Sequence, residues 1–139
     1  MSAWKLKLLV DYIEAHLGDK ITARDLASRI DVGVGQLFRG FKASVGVSPL
    51  RYVATRRVEL VCTMLITTRE PICQVALVCG FSEQAHLCKV FRRMIGMSPS
   101  SWRRSLPARG TEKFKIIDVT AFAPTHQRQN IYAVGNKFL

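Results

Sequence analysis

Residues 71–99, PICQVALVCGFSEQAHLCKVFRRMIGMSP, read as two helices and a turn followed by the opening of a third helix. A short helix covers Ile72 to Cys79 behind Pro71, which stands at its cap position. Gly80-Phe81 makes the turn, Ser82 is expected to cap a second helix running to Ile95, and Gly96 stops it. Ser98-Pro99 then starts the next helix, with Ser as the cap and Pro at the first helical position, where its missing N–H costs nothing.

The same plan stands fifty residues earlier, in residues 21–49, ITARDLASRIDVGVGQLFRGFKASVGVSP. Leu37 matches Leu87, Phe41 matches Phe91, Gly46 matches Gly96, Ser48-Pro49 matches Ser98-Pro99, and Tyr52 matches Trp102. Caps, stops and core positions rarely align together by chance, so the chain holds two copies of one unit. In the first copy Thr22 caps a helix from Ala23 to Ile30 that buries Leu26, Ala27 and Ile30, and a second helix runs from Val34 to Val45. Upstream, Leu6, Leu9, Val10, Ile13 and Leu17 line one face of a helix ending at Gly18-Asp19. A long helix from Pro49 to about Thr67 joins the copies.

The expected architecture is all-α, with two helix-turn-helix lobes. Residues 1–104 form the tandem domain, with lobe one at about 5–48, the linking helix at 49–67 and lobe two at about 70–104. Residues 105–139 form a C-terminal extension. Weakly strand-like runs occur there at 114–122 and 131–134, but 35 residues broken by Pro107, Pro124 and Gly135 are too few to build a core alone.

Lys and Arg outnumber Asp and Glu by 21 to 10, a formal charge of +11, and 16 of the basic side chains against 8 acidic ones fall in residues 1–104. Such an excess points to a polyanion, with nucleic acid ahead of a membrane surface. Asp11 and Glu14 break the apolar run that a secretory signal would need, and no stretch is apolar enough to span a bilayer. Cys62, Cys73, Cys79 and Cys88 form no CxxC pair, which suits reduced thiols in the cytoplasm. No ligand spacing of a known metal site appears, and His16 and His126 stand without partners for catalysis. The chain is therefore expected to be no enzyme and to need no cofactor.

On the helix from Val34, Leu37, Gly40, Phe41 and Ser44 mark the core side, with Ser44 at its edge bonding back to the Gly40 carbonyl. Gly35, Arg39 and Lys42 lie opposite, at i, i+4 and i+7. On the following copy, Leu87, Val90, Phe91 and Met94 face the core, and Ala85, Lys89 and Arg92 lie opposite. The two stripes are the same three positions shifted by fifty: small, long basic, basic. A small residue lets a helix approach a major groove, and long donors reach guanine O6 and N7 or a phosphate. Gln36, Gln84 and His86 flank the stripes near the helix N-termini, where such a motif reads base edges.

These residues together resemble the AraC/XylS family of bacterial regulators. The resemblance is carried by Ile72 through Ser82, then Val90-Phe91-Arg92-Arg93, then Gly96-Met97-Ser98-Pro99 with Arg103. In the first half it rests on Leu26-Ala27, Leu37, Arg39, Phe41-Lys42 and Gly46-Val47-Ser48-Pro49. It implies a seven-helix domain that binds double-stranded DNA with its third and sixth helices in adjacent major-groove segments, activating transcription through RNA polymerase. Base reading is then expected from Gly35, Gln36, Arg39, Gln84, Ala85 and Lys89. Contacts to the DNA backbone are expected from Lys42, Ser48, His86, Arg92, Arg93, Ser98 and Arg103. One chain with two such helices does the work of a dimer, so the protein is expected to bind as a monomer, in the cytoplasm on the nucleoid. Gly33 stands where the family usually has a capping Ser, and Gly35 and Gly40 lie inside the helix, so the second lobe is expected to carry more of the reading. With no effector-binding region before the motif, the sequence reads as a short member of the family or the remnant of a longer regulator. The rival expectation is an interaction module that binds RNA polymerase or another regulator, with DNA contact weak or lost.

Overall fold

A computed structural model describes residues 1–106. They form seven α-helices: α1 (Ala3–Ala15), α2 (Ala23–Arg29), α3 (Val34–Val45), α4 (Pro49–Thr67), α5 (Ile72–Val78), α6 (Gln84–Ile95) and α7 (Pro99–Ser105). The strand-like runs expected at 114–122 and 131–134 lie outside the described residues. Among the described residues no helix is long and apolar enough to cross a membrane.

Two separate apolar cores organise the fold. The first gathers Leu6, Leu9, Val10, Ile13 and Leu17 around Leu26, Ile30, Leu37, Phe41, Val45, Tyr52 and Val53. The second gathers Val58, Val61, Cys62, Leu65, Val75, Ala76, Cys79, Phe81, Leu87, Phe91 and Trp102. Helix α4 thus serves both: its N-terminal part closes lobe one and its C-terminal part closes lobe two. At 1.5 Å per residue its 19 residues span about 28 Å.

The internal repeat extends to the packing. From residue 33 to residue 43 every position has the same degree of burial as its mate fifty residues on. Phe41 meets Tyr52 edge to face at 5.7 Å and 63°, and their mates Phe91 and Trp102 meet at 6.0 Å and 73°. Gly46 and Gly96, at φ 96° and 98°, end α3 and α6 in the left-handed conformation that favours glycine. Ser48 and Ser98 then cap α4 and α7, their hydroxyls accepting the N–H of Arg51 and Ser101 at 3.2 Å each. Thr22 caps α2 in a reciprocal box with Asp25, which holds the Asp25 carboxyl below its ordinary value.

Three details depart from the sequence reading. Helix α1 ends at Ala15, and the chain continues through turns to Gly18. Ser44 is exposed and Val45 takes the buried place, because Leu37, Phe41 and Val45 follow one another at i, i+4 and i+8. Ser82 caps nothing: the N-cap of α6 is Glu83, in extended backbone at φ −156°. The reason is one extra residue in the second turn. Asp31 at φ 55° and Gly80 at φ 91° hold the same left-handed place, 49 residues apart. The next N–H in each turn, Val32 or Phe81, returns to the carbonyl of Ala27 or Ala76 at 3.1 and 2.9 Å. The offset becomes fifty only at the helices that follow.

Candidate nucleic-acid interface

Helices α3 and α6 each follow a short helix and a turn, and each is pinned from behind by fully buried Leu and Phe side chains, Leu37 and Phe41 or Leu87 and Phe91. Their opposite sides are open. Gly35, Gln36, Arg39 and Lys42 are exposed on α3, and Gln84, Ala85, His86, Lys89, Arg92 and Arg93 are exposed on α6. The structure therefore brings together, on one face of each helix, the stripes expected from spacing. On α3 the Arg39 guanidinium lies back over Gly35, 3.3 Å from where a Cβ would stand there. On α6, Ala85, Cys88, Lys89, Arg92 and Arg93 border one shallow concavity. His86 is held edge-on to Phe81 at 5.4 Å, which ties it to the turn before the helix.

Neither α3 nor α6 has a side-chain cap at its N-terminus, since Gly33 has none to offer and Glu83 makes no such bond. The positive end of each helix dipole, with its first N–H groups, is left to an outside acceptor on both helices alike. The contrast in capping expected between the two lobes therefore vanishes.

Arg103 has a role in the fold that its sequence position did not suggest. Its guanidinium donates to the carbonyls of Glu70 at 2.6 Å and of Leu65 and Thr68 at 3.4 Å each. It ties α7 to the end of α4 by satisfying carbonyls there, a structural role beside the backbone contact expected of it. Ser48 and Ser98 act first as helix caps, and Ser98 also donates to the Ser101 hydroxyl at 3.0 Å. Sequence reasoning overlooked Cys88 as part of the α6 surface. Its spacing from Ala85, Lys89 and Arg92 at 85, 88, 89 and 92 is the helical period itself, and could have placed it there.

The other cysteines take no part in this surface as a ligand set. Cys62 and Cys79 are buried, with burial pushing the Cys62 thiol up to about 12 and the Cys79 thiol up to about 11, while Cys73 is exposed. Among the described residues no three His, Cys, Asp or Glu side chains are placed to hold a metal ion.

Comparison with known proteins agrees with this geometry. Residues 26–105 match a family described as a helix-turn-helix domain. The chain is 36% identical over 96 residues to LumQ of Photobacterium leiognathi, covering 69% of this chain and 39% of that protein. It is 30% identical over 103 residues to the HTH-type transcriptional activator RhaS of Escherichia coli O139:H28, covering 74% of this chain and 37% of RhaS. The chain thus spans about two fifths of the length of these relatives. Among solved structures, the DNA-binding domain of AdpA, a global transcriptional factor in complex with a target DNA, superimposes with a TM-score of 0.70 at 30% identity, over 73% of this chain and 91% of that one. With two helix-turn-helix lobes on one shared helix, and a family match across both, the chain belongs to the AraC family of DNA-binding transcription regulators.

Proposed function

We propose that this chain binds specific double-stranded DNA as a monomer, laying α3 and α6 in adjacent major-groove segments, and activates transcription through RNA polymerase. The observation that carries the reading is the pair of exposed basic stripes, identical in position on two helices whose backs are buried identically. Each stripe has a small residue for close approach and a long donor one turn on. The 28 Å or so of α4 is comparable with the roughly 34 Å between successive major-groove segments on one side of B-DNA. The AdpA complex supports DNA as the partner, and the name of RhaS supports activation.

In this reading Gly35, Gln36 and Arg39 on α3, and Gln84, Ala85 and Lys89 on α6, read base edges. Lys42, His86, Arg92 and Arg93 hold phosphates, assisted by Ser48 and Ser98 where α4 and α7 begin. Arg103 contributes by holding α7 in place. A DNA-bearing regulator of this kind works on the nucleoid, in the cytoplasm. The test is a hydroxyl-radical footprint on a duplex selected by this chain from a random-sequence pool. Two protected patches about 10 bp apart on one side of the duplex, from one bound chain, are expected. A single patch would show that only one lobe engages.

A further inference from the structure

The two cores do not merge: lobe one ends on α4 at Val53 and lobe two begins on it at Val58. Between them lie Ala54, Thr55, Arg56 and Arg57, and here both arginines turn back toward lobe one. Arg56 donates to the Glu14 carboxylate of α1 at 2.5 and 3.0 Å. Arg57 reaches past the end of α1 and donates to the carbonyls of Leu17 at 3.0 Å and Asp19 at 2.6 Å. Lobe two closes over this point. A Cβ on Gly80 would stand 2.1 Å from the Leu17 carbonyl oxygen and 2.7 Å from the Arg57 Nε, and a Cβ on Gly18 would stand 2.9 Å from the Val78 carbonyl oxygen. The turn of the second helix-turn-helix therefore lies directly on the α1–α2 turn, backbone against backbone, with the Arg57 guanidinium between them.

A single helix gives two lobes one line of attachment, about which a small bend or slip of packing swings one against the other. A second attachment away from that line removes the swing. The cleft at this second attachment is bordered by Gly18, Arg57, Gly80, Ser82 and His86, so it runs to the first turn of α6. A displacement there moves the start of a recognition helix.

We infer that Arg57, with Gly18 and Gly80, is the positioning element that fixes the separation and angle of α3 and α6, and so sets which spacing of half-sites the protein accepts. This rests on the proposed two-segment reading of DNA and adds the residues that determine its geometry. None of the three needs to touch DNA to do so.

The experiment uses the selected duplex, the same duplex with one base pair inserted between the half-sites, and a duplex carrying one half-site alone. One inserted pair rotates the second half-site by about 35°. The wild-type chain is expected to lose about 30-fold or more on the inserted duplex, because rigidly linked modules lose their joint binding when geometry forbids it. Arg57→Ala is expected to bind the parent duplex about tenfold more weakly, to reduce the insertion penalty to about threefold, and to keep wild-type affinity for the single half-site. Arg57→Lys, which retains one donor group, should restore part of the penalty. Gly18→Ala, whose new methyl wedges the turns apart at a position without a left-handed φ, serves as the second variant and should likewise flatten the spacing preference. If Arg57→Ala and Gly18→Ala, folded as judged by their half-site binding, keep the full insertion penalty, α4 alone is the ruler and the inference is wrong. If instead the wild type shows no spacing penalty and one footprint patch, the two-segment reading itself fails, and this inference falls with it.

Discussion

Truncation of Arg39 and of Lys89 separates the reading of bases from the holding of the duplex. Both side chains are exposed, neither makes a hydrogen bond or ion pair among the described residues, and each lies one turn into its recognition helix. Removing either should therefore leave the fold within about 0.5 kcal/mol of its original stability. Any change in affinity then belongs to the interface. A long donor paired with a base edge is worth about 1–3 kcal/mol of discrimination, or about 5-fold to 150-fold in affinity on the preferred site. Both helices are 12 residues long and lack a side-chain cap, but only α3 carries glycines in its interior, Gly35 and Gly40, so the loss at Lys89 should be the larger, each relaxing selectivity in a different half-site. Arg92, a further turn along α6, is the control. Arg92→Ala should weaken binding to all sequences alike and flatten the slope of log K against log salt by about one unit, as one phosphate contact fewer would. The assay is a set of affinities for every single-base variant of the selected site, measured with each substitution at two salt concentrations. If Arg39→Ala and Lys89→Ala lower every affinity equally and leave the base profile unchanged, both are phosphate contacts and the assignment of reading residues is wrong.

Two further outcomes check the fold beneath the interface. Thr22→Ala should cost about 1 kcal/mol in urea unfolding at neutral pH. The Asp25 carboxyl of the same cap has its folded pKa lowered by its bonds to Thr22, so its share of the stability is complete above the unfolded value near 4 and is lost as pH falls through the folded one. In a thiol-labelling series Cys73 should react at once, whereas Cys62 and Cys79, buried and held as thiols to about 12 and 11, should label only through unfolding. Equal rates at all three would contradict the second core.

The helices and the two basic stripes were legible because caps, glycine stops and apolar periods are local signals, and because the repeat states each of them twice. Leu37, Phe41, Leu87 and Phe91 announced the buried faces, and the exposed faces followed by rotation. The cap of α6 was misplaced because Ser82 is a good capping residue in the wrong register, and an extra residue in a turn leaves no trace in a pattern that resumes its period immediately after. The inward turn of Arg103 and the clasp of Arg57 were illegible for another reason. An arginine that bonds carbonyls 33 or 38 residues away looks, in sequence, like any other basic side chain on a basic protein, since the acceptors are backbone groups whose positions only the fold decides.

The division of α4 between two cores bears on how the protein folds as well as on how it reaches. Each lobe is near the lower size at which a single apolar core sustains a domain by itself, and neither has a complete core without its part of that helix. Unwinding α4 from either end withdraws Tyr52 and Val53 from one core or Val61 and Leu65 from the other. The cost of nucleating the longest helix is met once and serves both lobes. The consequence is a molecule with one narrow place where it can be divided: a cut within residues 54–57 leaves each core its own part of α4, whereas a cut on either side of that stretch takes Tyr52 and Val53 from lobe one or Val58, Val61 and Leu65 from lobe two.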